Sequence, residues 1–352
     1  MIRATLRRVR PQLIILALLL ALNVLVFPGF FELSLKNGRL YGGVIDILNR
    51  GAPAALLATG MTLVIATRGI DLSVGAVMAI AGAVAALCVT SGLPWYAALG
   101  AALAVGLLCG LWNGVLVAVL RVQPIVATLV LMVAGRGVAQ LLTEGAILTF
   151  NDPGLSRIGS GTFLTVPTPV WIWGAAALAV GITARRTALG LLIEAVGVNE
   201  RSARLAGINA RVLIVAAYLV TGLCAALAGV IVAGDIKGAD ANNAGLWMEL
   251  DVILAVVLGG NSLLGGRFSI TASVIGALII QSINSAILLS GMPVEFNLVI
   301  KALLIIMILM IQSPKVKHSL YLLRAGAPRD AAAQIPPGAG SAVRHSSGES
   351  RP

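Results

Sequence analysis

The sequence predicts an all-α, polytopic transmembrane helical bundle. Of its 352 residues, 59% are hydrophobic and 11% are charged, whereas a soluble domain carries about 25% charged residues. A helix needs about 20 mostly apolar residues to cross a bilayer, and runs of that length recur along the chain. The 40 glycines fit the same class, because small residues let spanning helices approach closely. A transmembrane β-barrel would instead show alternating segments of about ten residues.

We predict about ten spans from the ends of the apolar runs. Their ranges are 12–28, 50–67, 73–91, 95–119, 124–143, 169–184, 212–233, 250–264, 269–290 and 296–313. The first follows a basic head without a small-residue cleavage site after it, so we interpret it as a retained span. The eighth is the weakest, because "DVILAVVLGGNSLLGG" is short and broken by glycines. Eight spans remain the alternative.

The basic residues predict the orientation of the chain. With the amino terminus inside, the interior-facing segments hold more Lys and Arg than the outward ones, which favours both termini in the cytoplasm. Residues 1–313 are predicted to form the membrane domain. Residues 314–352 are rich in Ala, Pro, Gly and Ser and are predicted to be a disordered cytoplasmic tail. The net charge of +11 is spread along the chain, which argues against nucleic-acid binding.

Motifs for chemistry are missing from the sequence. It has no phosphate-binding G-x-x-x-x-G-K-[ST] loop, no H-E-x-x-H, no paired Cys or His ligands and no G-x-S-x-G elbow. The three cysteines lie in apolar runs and are interpreted as packing residues. We therefore expect no enzymatic activity, no metal and no cofactor. Few acidic residues fall inside the spans, which argues against a proton-driven carrier.

A polar turn, "TRGIDLSVGA", separates the second and third spans. Gly69 is expected to end one helix in a left-handed conformation. Asp71 is expected to cap the next helix through amides near Ser73 and Val74, and to pair with Arg68. The turn is either a capped break between spans or a hinge that lines a translocation route, and both interpretations stay open.

The interior segment 185–212 contains a short predicted helix, "ERSARLA". Asn199 is placed to cap it, Gly207 to end it, and Glu200 and Arg204 are spaced for an i,i+4 ion pair. A helix of about seven residues is not stable alone in water, so it must pack on something. It is either an interfacial amphipathic helix or a docking helix for a cytoplasmic partner.

Two further groups of polar residues are candidate functional positions. The outward loop "GDIKGADANNAGLWMELDV" offers Asp240, Asn242 and Asn243 for docking or substrate contact, although capping and anchoring also explain it. Polar residues inside spans either bond helix to helix or line a polar pathway. Together with Asp71, the candidate pathway residues are Asn113, Arg136, Gln140, Gln281 and Asn284.

Long motifs resemble the permease subunits of bacterial ATP-binding-cassette (ABC) importers for monosaccharides of the ribose, xylose and arabinose type. They are "GMTLVIATRGIDLSVGAVMAIAGA", "EAVGVNERSARLAGI" and "ELDVILAVVLGGNSLLGG". More narrowly, "QPIVATLVLMVAGRGVAQLLT" and "GADANNAGLWMELD" resemble a galactofuranose importer, a system with two different permease subunits. Arg68 departs from the small residue expected before Gly-Ile-Asp-Leu-Ser.

The resemblance implies a multi-pass permease of the bacterial inner membrane without a catalytic site. ATP would be bound by a separate ATPase subunit, and sugar would arrive from a periplasmic binding protein. A second permease subunit, the same or different, would complete the pathway in the lipid bilayer. The implied ATPase contact comprises Glu194, Ala195, Gly197, Asn199, Ala203 and Gly207. The alternatives are a related permease for branched-chain amino acids, an ion-coupled secondary carrier, and a membrane scaffold or enzyme.

Overall fold

A computed structural model describes residues 2–27, 29–36, 38–291, 293, 296, 298–303 and 306. The predicted tail, 314–352, and most of the predicted tenth span, 296–313, lie outside these residues. The chain divides into a compact unit, Met1–Asn297, and a second unit that begins at Leu298. Of the second unit, a short helical stretch at 298–303 is described.

The first unit is built almost entirely from helices. They are α1 (Ile2–Val26), α2 (Gly43–Arg50), α3 (Ala52–Ala66), α4 (Val74–Thr90), α5 (Trp95–Ala118), α6 (Pro124–Leu142), α7 (Pro153–Ser160), α8 (Thr168–Arg186), α9 (Ala188–Val198), α10 (Glu200–Leu205), α11 (Ala210–Ile236), α12 (Met248–Leu258) and α13 (Ile270–Leu289).

Within the described part of the chain, three short antiparallel strand pairs lie in the connections between helices. They are β1 (Ser34–Lys36) with β2 (Arg39–Tyr41), β3 (Ile147–Thr149) with β6 (Gly238–Asp240), and β4 (Thr162–Phe163) with β5 (Val166–Pro167). The β3–β6 pair ties the segment after α6 to the segment after α11.

Five helices in the described residues are long and apolar enough to cross a membrane: α5, α6, α11, α13 and residues Val9–Val26 of α1. Taken together, α8 and α9 are also long and apolar enough to cross a membrane, but the two helices are bent by 79° relative to each other. α3 and α4 are shorter apolar helices. The all-α polytopic bundle is thereby confirmed, while the cytoplasmic position of both termini stays a prediction.

The longest helix, α11, lies at the centre of the bundle and packs against α3, α4 and α5. Small residues make these contacts: a Cβ added at Gly222 would collide with the carbonyl of Gly106 on α5, and one at Gly60 with the backbone of Thr221. Close backbone approach of this kind is how helices associate where lipid provides no hydrophobic drive.

The predicted eighth span, 250–264, is not a complete helix. α12 ends at Leu258 after 11 residues, about 17 Å at 1.5 Å per residue, which is too short to span a bilayer. The chain then runs without helical structure from Gly259 to Ser269, where α13 begins. Gly260, Gly265 and Gly266 all have positive φ, so the glycines permit this irregular path.

We name the two ends of the bundle by their connections. The junction end contains residues 67–73, 187–209 and 264–268. The hairpin end contains residues 143–167 and 237–247. The sequence predicts that the junction end faces the cytoplasm.

Candidate functional site

The first helix break, residues 67–73, begins with a Schellman motif at the end of α3. Arg68 N donates to Ile65 O at 3.0 Å, and Gly69 N donates to Val64 O at 2.9 Å, which is the double bond pattern of that motif. The left-handed residue is Arg68, with φ 66°, and the expectation for Gly69 was therefore wrong. Left-handed backbone costs a residue with a Cβ about 1–2 kcal/mol.

Gly69 is required for space rather than for its backbone angle. A Cβ at this position would lie 2.8 Å from the Tyr218 hydroxyl and 2.8 Å from Val64 Cγ1. Tyr218 is fully buried on α11. The first break therefore packs directly against α11, the central helix of the bundle.

Asp71 lies in a buried polar cluster between α4 and α5. Its Oδ1 accepts hydrogen bonds from Ser73 N at 2.9 Å and Ser73 Oγ at 2.6 Å, and Asn113 Nδ2 donates to Ser73 Oγ at 2.8 Å. Asn113 Nδ2 also reaches Asp71 Oδ1 at 3.5 Å. The expected bond to Ser73 is present, whereas Arg68 bonds elsewhere instead of pairing with Asp71.

The Asp71 cluster also contains unsatisfied polar atoms. Asn113 Oδ1 and the Tyr218 hydroxyl are buried and have no hydrogen-bond partner among the described residues. The two predicted pathway residues Asp71 and Asn113 therefore meet in one site. The site has hydrogen-bonding capacity to spare inside the bundle.

A second polar network, which the sequence reasoning missed, holds the irregular segment 259–269. Asn261 Nδ2 donates to Ser273 Oγ at 2.8 Å, Thr62 Oγ1 donates to the same oxygen at 2.6 Å, and Ser269 N donates to Asn261 Oδ1 at 2.7 Å. These residues are all buried. Since non-helical backbone at membrane depth must be satisfied by protein, a glycine-rich break beside Asn and Ser is the signal that could have revealed this network.

The segment 187–209 forms two helices, α9 and α10, where the sequence predicted one. As expected, Asn199 Oδ1 accepts from Ser202 N at 3.0 Å, Gly207 follows α10 with φ 84°, and Glu200 pairs with Arg204 at 3.0 Å. α9 was missed because Arg185 and Arg186 end the apolar run of α8, so the residues after them were interpreted as an interior loop. Thr187 caps α9, which is bent by 79° from α8.

α9 is packed against both helix breaks. A Cβ at Gly197 would collide with the carbonyl of Ala66, at the end of α3, and with the amide of Gly266. Glu194 Oε1 accepts a hydrogen bond from Phe268 N at 3.4 Å. The predicted contact residues Glu194 and Gly197 thus join the segment to the bundle rather than facing outward.

The other side of this segment is open and partly apolar. Leu205 is 84% exposed and Leu191 73%. Ala203 is buried and Ala195 is half-buried, so these two predicted contact residues support the helices from within. Exposed apolar side chains beside charged ones occur on surfaces that bind another protein and on surfaces that lie against a membrane.

At the hairpin end, two predicted pathway residues hold the predicted outward loop. Arg136 Nη1 donates to Ala241 O at 2.9 Å and Ala244 O at 2.6 Å, and Gln140 Nε2 donates to Asn242 Oδ1 at 2.8 Å. The polar face of α6 therefore anchors residues 240–244.

Asp240 organises the same loop. It accepts from Asn242 N at 3.0 Å and from Asn243 N at 3.1 Å, and Asn243 Nδ2 donates to it at 2.8 Å. The Asn243 side-chain bond is the main reason that the pKa of Asp240 lies below its ordinary value. The stabilisation is therefore present above the ordinary pKa of Asp and is lost as pH falls through the lowered value.

Gln281 and Asn284 lie apart from the other candidate pathway residues. Gln281 on α13 donates weakly to Ser285 at 3.4 Å, and Asn284 Oδ1 is buried without a partner among the described residues. The neighbouring Ser282 accepts from Asn23 of α1 at 3.1 Å. The six candidate residues thus fall into three groups, and no hydrogen bond between described residues joins one group to another.

Comparisons with known proteins agree with this architecture. The protein-family description "Branched-chain amino acid transport system / permease component" matches residues 43–309. The galactofuranose transporter permease protein YtfT of Escherichia coli (strain K12) is 59% identical over 305 residues, 87% of this chain and 89% of the relative. No solved structure matches this chain.

More distant relatives import other sugars by their names. The fructose import permease protein FruF of Bifidobacterium longum (strain NCC 2705) is 40% identical and aligns with 81% of each chain. The ribose import permease protein RbsC of E. coli (strain K12) is 40% identical over 86% of this chain and 93% of the relative. The resemblance to monosaccharide-importer permeases is confirmed, and the chain belongs to this family of bacterial importer permease components.

Proposed function

We propose that this chain is the membrane-spanning permease subunit of an ABC importer that carries a monosaccharide into the cytoplasm. A galactofuranose-like sugar is favoured, because the relative that is 59% identical along most of both chains is a galactofuranose transporter permease. In this proposal a separate ATPase hydrolyses ATP, a second permease subunit completes the pathway, and a binding protein delivers the sugar at the hairpin end.

One observation carries the mechanical part of the proposal. The segment 187–209 bears an exposed apolar surface on one side and contacts both helix breaks on the other, through Gly197 and Glu194. A partner that moves this segment would therefore push directly on Ala66 and on residues 266–268. A soluble ATPase that changes shape on ATP hydrolysis fits this arrangement.

The buried polar groups suit a neutral polyhydroxylated solute. Inside the bundle most of them are hydroxyls and carboxamides, from Thr62, Asn113, Tyr218, Asn261 and Ser273, and the Asp71 carboxylate lies beside Asn113. Hydroxyls and carboxamides exchange hydrogen bonds with sugar hydroxyls, and a carboxylate such as Asp71 accepts from them. The spare bonding capacity of Asn113 and Tyr218 makes their cluster the favoured place for a sugar to pass.

Branched-chain amino acids are the second candidate substrate, since the matching family description names them. A zwitterionic amino acid needs a cationic and an anionic partner close together. In the described residues Arg136 is bonded to loop carbonyls at 2.9 and 2.6 Å, and this occupation argues against its pairing with a substrate carboxylate.

Reconstitution tests the proposal. The chain is purified with the ATPase, permease and binding-protein partners that co-purify with it, and placed in proteoliposomes. We expect ATP-dependent uptake of labelled galactofuranose, with ribose, fructose and leucine as competitors. Uptake of leucine in place of sugar would identify the amino-acid permease, and gradient-driven uptake by the chain alone would contradict the ABC assignment.

A glycine substitution tests the proposed transmission of movement from the ATPase through α9. Gly197→Ala places a methyl group against the backbone of Ala66 and Gly266, which cannot move aside easily. Overpacking of this kind costs about 1–3 kcal/mol, so we expect reduced ATPase co-purification and reduced uptake with membrane insertion intact. Gly181→Ala is the matched control, because a Cβ there meets nothing within 4 Å. If both variants showed the same ATPase co-purification and the same uptake, α9 would not be part of the proposed ATPase contact.

A further inference from the structure

Arg68 stands where three separate parts of the chain meet at the junction end. Its backbone is the left-handed residue that terminates α3. Its side chain extends towards the end of α9 on one side and the irregular segment 259–269 on the other. The side chain is exposed at the surface of the bundle, so it is placed to act between elements rather than inside the core.

The guanidinium group bonds to both neighbouring segments. Arg68 Nε donates to Leu264 O at 3.1 Å, and Arg68 Nη2 donates to Val198 O. Two of these segments also bond to each other directly, because Gly266 N donates to Ala66 O at 3.0 Å. A Cβ at Gly265 would lie 2.5 Å from Arg68 Cγ, so the side chain lies directly over the glycine turn.

We propose that Arg68 is a positioning residue that clamps the ATPase-facing segment to both helix breaks, so that movement of α9 is transmitted to the pathway. This inference rests on the proposed function and deepens it. It assigns to one side chain the mechanical link between Val198, at the end of α9, and Leu264, in the second break. Gly197 and Glu194 join α9 to the same two breaks by closer packing and by one hydrogen bond.

The chemistry of arginine explains why this residue occupies an unfavourable backbone conformation. Glycine is the usual residue at the left-handed end of a helix, and the sequence resemblance predicts a small residue here. The planar guanidinium group offers several donors in a fixed geometry, which lets one side chain hold two carbonyls that point from different segments. A lysine would present a single point charge with no such fork. The two side-chain hydrogen bonds therefore explain why arginine occupies this position, whereas the turn alone would favour glycine.

The experiment compares substitutions that separate the clamp from the turn. Arg68→Gly removes both side-chain bonds and also relieves the left-handed strain, while Arg68→Lys keeps the charge but loses the fork. Arg121 supplies a matched control: it is an exposed arginine with φ 57° whose side chain makes no hydrogen bond to the described residues. Arg121→Gly thus repeats the backbone change without breaking a clamp.

The readouts are sugar transported per ATP hydrolysed, ATPase co-purification and the thermal midpoint, all on the full complex in proteoliposomes or detergent. For Arg68→Gly we expect an unchanged or higher midpoint and retained co-purification, with a fall of at least about fivefold in sugar per ATP, the lower limit of typical coupling effects. The Arg68→Lys variant should transport an amount of sugar per ATP that lies between those of wild type and Arg68→Gly. Arg121→Gly should match wild type.

A merely structural role for Arg68 predicts the opposite pattern. If Arg68→Gly transports as much sugar per ATP as wild type and Arg121→Gly, the clamp is overturned. Hydrogen exchange gives an independent measurement on the chain itself: Arg68→Gly should speed exchange of amides 262–268 and 196–199, and unchanged protection there would also overturn it. If the wild-type complex carries no sugar, the proposed function fails, and the exchange result still decides the clamp.

Discussion

At the scale of single residues, Asp71 is the most informative side chain. It is 3% exposed and accepts hydrogen bonds from Ser73 and Asn113. These contacts hold Ser73, the N-cap residue of α4, and connect it to α5, whereas no bond to the expected Val74 amide is formed. Asp71 also lies in the same cluster as the unsatisfied atoms of Asn113 and Tyr218. Both interpretations of the polar turn, a break between spans and part of a translocation route, therefore apply to this residue.

Two substitutions separate these roles of Asp71. Asp71→Asn keeps an acceptor oxygen for Ser73, so we expect a mild effect on folding and on uptake per molecule in the membrane. Asp71→Ala leaves buried donors unsatisfied, each at a cost of about 1–3 kcal/mol, and should lower expression and the thermal midpoint. The measurement is uptake normalised to expression. A severe transport defect in well-folded Asp71→Asn would show that the carboxylate contributes more than capping.

At the scale of elements, α6 and the loop at 240–247 behave as one unit. The Arg136 guanidinium group holds two loop carbonyls, and Gln140 holds Asn242. We expect Arg136→Met to lower stability by about 1–3 kcal/mol, because two acceptors lose a charged donor. Amides 238–247 should exchange hydrogen faster than in wild type.

The matched control for Arg136 is Arg157→Met on α7. Arg157 lies at the same end, is exposed, and its side chain makes no hydrogen bond to the described residues. It should leave both the thermal midpoint and the exchange of the loop unchanged. If Arg136→Met behaves like this control, the loop is held by other contacts.

The Glu200–Arg204 pair on α10 tests whether the junction end is a docking surface. Its side chains are 46% and 39% exposed, and an exposed i,i+4 pair contributes about 0.3–0.5 kcal/mol. Exchanging the two charges in the double variant Glu200→Arg with Arg204→Glu should therefore leave folding unaffected but reduce ATPase co-purification. Arg157→Glu, at the hairpin end, is the charge-reversal control. Intact co-purification by the double variant would move the contact away from α10.

Most elements of the bundle are readable from apolar runs, and the exceptions have physical causes. α3, α4, α5, α6 and α13 begin and end within a few residues of the predicted spans. α12 stops early, because Gly259 and Gly260 release the backbone and Asn261 bonds back to Val256 O at 3.0 Å. α7 was missed: it is capped by Asp152, which accepts from Leu155 N at 2.7 Å, and is too short to show a strong period.

The candidate site was harder to predict than the helices. The polar residues themselves were identified, but their grouping depends on tertiary contacts between segments far apart in sequence. Arg68 and Val198, for example, are 130 residues apart, and spacing along one helix cannot reveal such a pair. Thr62 and Ser273 were overlooked because single hydroxyls in apolar runs are common and give no local pattern.

At the scale of the whole molecule, the orientation of the bundle is the prediction to test. With Cys88, Cys109 and Cys224 replaced, Ser202→Cys should react with a membrane-impermeant reagent only from the cytoplasmic side. Asn151→Cys should react only from the periplasmic side. Both positions are exposed. Labelling of Ser202→Cys from outside would show that the bundle has the opposite orientation and would exclude an ATPase at the junction end.

The early end of α12 has an electrical consequence for whatever crosses the bundle. A helix that stops inside a membrane presents a partial negative charge at its last carbonyls. Here Gln12 Nε2 donates to Gly259 O at 3.0 Å, and Asn261 Nδ2 donates to Val256 O, so carboxamide dipoles of the described residues meet that charge. These two donors offset part of the negative end, so a permeating cation would be held there less strongly than at an open helix end.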